Sequence, residues 1–173
     1  EVYPGHFLQA QHLRSVDSKV RRSTLFAPSS FVEGWAHYCE QMMMEAGFHR
    51  GDAAIRLGQL SEALVRLARV IVAIRLHCED MSVEQGMRFF RDEAFLEEAN
   101  ARREAERGTF DPMYLVYSVG KLMLLKLRRD YKDKQGSKYS LRGFHDALLS
   151  QGSAPFWAHR RLMLNDAADA SLD

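Results

Sequence analysis

The sequence predicts an all-α, multi-helix fold, on three observations. Apolar residues return at spacings of three and four through most of the chain, the period of one helix face. Prolines stand just ahead of those runs, where a missing N–H costs nothing in the first helical turn. No segment shows the strict alternation of a half-buried strand. With 173 residues and 46% hydrophobic content the chain can bury one sizeable core. Residues 1–173 are therefore expected to form a single helical domain, or one half of a larger one.

Taken in order, Pro4 opens a helix near residues 5–14 and Pro28 one near 30–46, where SSFVE puts Ser30 three positions before Glu33 in the form of a capping box. The longest helix is expected near 53–78. Its Leu57, Leu60, Leu64, Leu67, Ile71 and Ile74 read as one buried stripe. Glu62 and Arg66 add a four-apart pair worth a few tenths of a kcal/mol, on the order of 0.3. SVEQ repeats the capping-box form at Ser82 and Gln85, ahead of a helix near 83–106. Pro112 opens a helix near 112–133, and others follow near 140–150 and, behind Pro155, near 155–164. The joining stretches GFHRGD, HCEDMS, RGTFD, KDKQGSKYS and QGSA carry turn-forming residues, and 165–173 read as a frayed tail.

Composition narrows the partners. Twenty-four basic against twenty-three acidic residues give a net charge of +1, no field to recruit nucleic acid or an anionic membrane surface. No apolar run approaches the roughly 18 to 20 residues that span a bilayer, so the chain reads as soluble. Cys39 and Cys78 fall inside apolar helical patterns, as small buried thiols do, which agrees with a reducing, cytoplasmic compartment.

Three stretches concentrate groups that are costly to bury without purpose. EVYPGHFLQ carries Glu1 and His6. FVEGWAHYCEQ carries Glu33, His37 and Glu40 on one helix face. The third combines Tyr114, Tyr117, Lys121 and Arg128 with His145 in FHD. A zinc hydrolase needs imidazole and carboxylate ligands, an open position for water, and a further carboxylate to take the water's proton. Its familiar helical form has a glutamate directly after the first of two histidines. With Glu1 as that glutamate, the motif reads as cut between its first two residues. A ligand preceding Glu1 and His6 would lie about 240° apart around an ideal helix, so the helix must break. Pro4 and Gly5 supply the break, with a new helix expected from Pro4.

These blocks, with RLARVIVAIRLH, FDPMYLVYSVGKLMLLKLRRDY and LRGFHDALLSQGSAPF, resemble the C-terminal half of the bacterial DUF885 family over nearly the whole chain. The resemblance implies a helical, gluzincin-like zinc metallopeptidase with a His-Glu-x-x-Pro-Gly-His motif. It implies Glu1 as general base, His6 and Glu33 as Zn2+ ligands, and Tyr117 as donor to the oxyanion. A peptide substrate and the N-terminal half of the same protein are the implied partners. The 173-residue chain alone is expected to be inactive and to self-associate through apolar surface left exposed.

Plainer readings stand beside these. Glu33 also fits the capping box, Tyr117 an ordinary core tyrosine no better placed than Tyr114, and His37 an interior histidine outside the metal set. Arg66 and Arg69 suit either a substrate carboxylate or interior acids such as Glu40 and Glu45. If all the polar groups are caps and buried pairs, the alternative is a non-catalytic helical interaction module.

Overall fold

The computed structural model describes residues 2–165, and each segment expected to be helical contains helix. The elements are α1 (Phe7–Leu13), α2 (Lys19–Arg22), α3 (Ser29–Glu45), α4 (Ala53–Cys78), α5 (Val83–Glu93), α6 (Glu98–Phe110), α7 (Val116–Gln135), α8 (Leu141–Ser150) and α9 (Phe156–Leu164). Short 3-10 turns lie at Pro112–Leu115 and Gly136–Lys138. No strand occurs among the described residues. The tail expected at 165–173 lies, beyond Asn165, outside them.

Polar side chains start several helices. Asp52 accepts from the Ala54 and Ile55 amides at 2.9 and 3.2 Å, and Ser140 accepts from Gly143 at 3.0 Å. The Ser82–Gln85 capping box forms reciprocally, at 2.8 and 3.2 Å. The box expected at Ser30 does not. Helix α3 begins at Ser29, and the Phe31 and Val32 amides donate to the Pro28 carbonyl at 3.0 and 3.1 Å. Glu33 thus lies a full turn inside the helix, too deep to cap it.

Three further expectations change. The helix expected over 83–106 is two, because the chain turns at Phe95 (φ +55°) and the Leu96 amide returns to the Phe90 carbonyl at 3.2 Å. Helix α2, capped by Ser18, has too few residues to show a period. Cys78 is exposed at the end of α4, whereas Cys39 is buried; both are free thiols.

The chain divides into two compact units, one built from residues up to Glu40 and from Val119 onward, the other from Gln41–Ser118. In the first, Phe31, Trp35, Leu124, Leu127, Phe144, Leu148 and Phe156 are buried. Gly34 and Gly120 let α3 and α7 touch backbone to backbone: a Cβ on Gly120 would stand 1.9 Å from the Ser30 carbonyl oxygen. In the second, α4, α5 and α6 enclose Val65, Ala68, Val72, Met87, Phe90, Ala101 and Ala105. Here the predicted stripe of α4 is corrected. Leu57, Leu60, Leu67, Ile71 and Ile74 are exposed, 39% to 66%, because α5 and α6 cover the neighbouring Val65–Val72 side.

Candidate metal centre

His6 ends a kinked turn over Val2–His6, in which Tyr3, Pro4 and Gly5 leave helical geometry, Gly5 with ψ −122°. The helix break expected at Pro4–Gly5 is present, although regular α-helix resumes at Phe7 rather than Pro4. Trp35, one turn before Cys39 on α3, holds the turn in place. Its indole N–H donates to both the Pro4 and Gly5 carbonyls at 3.1 Å, and Cys39 Sγ approaches the Pro4 carbonyl at 3.7 Å. Glu33 precedes Gly34, so the close α3–α7 crossing fixes the helix on which it stands.

These two devices bring His6 and Glu33 together, with Nε2 and Oε2 3.5 Å apart. Two atoms bound to one tetrahedral zinc at about 2.0 to 2.2 Å stand roughly 3.3 to 3.6 Å from each other. The pair fits two adjacent zinc positions, and both side chains keep solvent access, at 41% and 29%. Without metal the same separation is that of an ordinary ion pair. Among the described residues no group of three His, Cys, Asp or Glu side chains converges to complete a set.

His6 and Glu33 border a cleft of about 410 Å³. Ala10, Leu13, Ala27 and Val32 give it apolar walls, and Gln9 and Ser153 also line it. The Ser153 wall is anchored by its amide, which donates to the Arg21 carbonyl at 2.7 Å, while the Arg21 guanidinium holds the Gln151 carbonyl and carboxamide at 3.1 and 3.0 Å. Gly152 is required there: its φ is +76°, and a Cβ would meet the Arg21 carbonyl at 2.6 Å.

Other sequence candidates are placed as follows. Glu1 lies outside the described residues. Tyr117 belongs to the second unit, with its ring 5.5 Å from the Arg69 guanidinium and its hydroxyl hydrogen-bonded to Arg107. Arg69 has Glu104 as its acid, through two 2.7 Å bonds, and Tyr114 is buried beneath it. His77 bonds the Gly108 carbonyl at 2.9 Å, and His37 is buried. His145 makes a 2.8 Å bond with the Tyr38 hydroxyl, which also accepts from Arg128 at 3.2 Å, and lies edge-on to Trp35 at 5.4 Å. Burial first, then the Arg128 charge, push the His145 imidazole down to about 4. It is a neutral support behind the tryptophan that grips the His6 turn. Sequence reasoning missed Trp35 and Gln9; the tryptophan's place in EGWA, two residues from Glu33, was the available signal for the first.

The chain is an all-α protein in which a histidine and a glutamate meet at the border of a cleft, and comparison with known proteins gives its family. Residues 1–163 match the bacterial proteins of unknown function grouped as DUF885, and the chain belongs to that family. No curated protein matches it. Among solved structures, a candidate lipoprotein of unknown function from Shewanella oneidensis is similar at 32% identity with a TM-score of 0.87. The match covers 95% of this chain and 30% of that one. A candidate lipoprotein from Colwellia psychrerythraea is similar at 30% identity and TM-score 0.86, over 95% of this chain and 28% of that one. The chain thus spans under a third of the length of either neighbour. No helix among the described residues is long and apolar enough to cross a membrane.

Proposed function

We propose that this chain is part of a zinc-dependent hydrolase that cleaves peptide bonds. The observation that carries the reading is the 3.5 Å approach of His6 and Glu33 from separate elements at the border of a cleft. His6 and Glu33 would hold the ion, as the family resemblance implies. Zinc bound there supplies Lewis acidity toward the carbonyl and a lowered pKa for its water. Glu1 accepts the water's proton and returns it to the leaving amine. For the oxyanion donor the family resemblance implies Tyr117. The description of both solved neighbours as lipoproteins supports a lipid-anchored parent over a cytoplasmic one. The exposed α4 row supports a further role for that face, as the seat of polypeptide that the longer neighbours contain and this chain lacks.

Glu33→Gln in the full-length parent tests the assignment, since it keeps the side chain's shape and removes its charge. Zinc affinity is expected to fall at least about tenfold, with chelator-sensitive peptide cleavage lost alongside it. Equal zinc content in the two proteins would return the pair to a structural contact and favour the interaction-module alternative.

A further inference from the structure

Gln9 is a side chain the metal reading leaves unexplained. It lies on α1 three residues after His6, hence on the same helix face, and lines the cleft that His6 and Glu33 border. It is 5% exposed, and its Nε2 is buried with no hydrogen-bond partner among the described residues. Buried amide donors are nearly always paired, so an unpaired one lining a cleft calls for an acceptor from outside the described residues. The walls around it specify that acceptor's chemistry. Ala10, Leu13, Ala27 and Val32 are apolar, Thr24, Ser29 and Ser153 add neutral hydroxyls, and among the described residues the charged side chains lining the cleft are His6 and Glu33. A charged side chain lodged against the apolar walls would give up hydration that those carbon atoms do not replace. An aliphatic one would gain by leaving water.

We propose that this cleft is a substrate subsite: it receives an uncharged aliphatic side chain of a peptide, while the Gln9 carboxamide donates to a backbone carbonyl of the same peptide. The assignment rests on the peptidase reading above, and deepens it by naming which residues lodge beside the metal. The small residues Ala10 and Ala27 leave room for a branched side chain. The Ser153–Arg21 tie and the turn at Gly152 fix one wall, so the size limit is set by rigid structure.

Binding to the zinc-free full-length parent tests the subsite independently of catalysis, with N-acetyl-leucine N-methylamide and its glycine and aspartate counterparts as probes. The leucine probe is expected to bind at least about tenfold more tightly than the other two. Ala27→Leu, which fills the cleft, removes that advantage. Gln9→Leu weakens the leucine and glycine probes together, about fivefold or more, because both lose the carbonyl contact. Thermal melts confirm that both variants are folded; if either is not, Val32→Ala gives a third test by enlarging the cleft and moving preference toward larger side chains. Equal binding of the three probes, or a leucine probe indifferent to the folded variants, overturns the subsite. Chelator-sensitive cleavage of a peptide library without side-chain preference, accompanied by equal probe binding, sinks the subsite alone. Discrimination between probes without any zinc-dependent cleavage sinks the peptidase reading and leaves a peptide-binding cleft.

Discussion

Gly120→Ala tests the contact that positions Glu33. The added Cβ would stand 1.9 Å from the Ser30 carbonyl oxygen, 2.8 Å from the Ser30 carbonyl carbon and 3.0 Å from Gly34 Cα. All three are α3 backbone atoms, so no side chain can rotate away. The helices must separate by roughly 1 Å or more across their crossing, in an interior packed as densely as an organic crystal. Overpacking of this kind costs about 1 to 3 kcal/mol and more when backbone must move, against about 1 kcal/mol regained from alanine's helix propensity. With only backbone in the way the cost lies at the upper end, about 3 kcal/mol or more, so the expected net loss is about 2 kcal/mol or more, read as a lower urea midpoint at constant slope. Gly58→Ala is the control, because a Cβ there meets nothing within 4 Å. It should stabilise by about 0.5 to 1 kcal/mol. Zinc affinity of the full-length Gly120→Ala protein should fall as well, since Glu33 moves with α3. A Gly120→Ala midpoint matching wild type, or raised as that of Gly58→Ala is, would refute the close-crossing argument.

Trp35→Phe keeps the ring and deletes the indole bonds to Pro4 and Gly5; zinc affinity of the parent should drop about tenfold, and an unchanged affinity would show that the turn holds His6 without them. Burial, aided by the Arg21 charge, depresses the fully buried His159 to about 3, and burial with Arg128 depresses His145 to about 4. Because the folded values lie below the unfolded one, their contribution is complete above about pH 6.5 and is lost as pH falls toward 4 and 3, at up to about 1.4 kcal/mol per pH unit for each histidine. Urea unfolding from pH 7.5 to 5 should show that decline, and His159→Leu should flatten it; a stability independent of pH over that range would contradict both assignments. The 173-residue chain alone should fail to cleave peptides and should self-associate through α4, with Leu60→Lys and Ile71→Lys together restoring the monomer mass in light scattering. A monomeric wild-type chain would show that the exposed α4 row is not adhesive.

The helix positions were legible in the sequence because their causes are local. Asp52 and Ser82 cap within three residues of themselves, prolines mark first turns, and the Pro4–Gly5 break follows from helix geometry that any chain must obey. The Ser30 box had the same local form and failed, because Pro28 took the cap position one residue earlier than Ser29 begins the helix. Periodicity showed that α4 has apolar residues on one side without showing which side finds a cover. Both the Leu60–Ile71 row and the Val65–Val72 row are apolar, and packing by α5 and α6 chose the second. Likewise His6 and Glu33 could be singled out from the sequence as the proposed metal pair, while their 3.5 Å approach could not. That distance depends on a tryptophan bond reaching back some thirty residues and on two glycines far apart in sequence, and such contacts exist only once α1, α3 and α7 have packed. The sequence alone determined most of the helices and the residue types of the proposed site; tertiary packing decided which apolar face was covered and which polar groups met, because both are choices between surfaces that local sequence leaves equivalent.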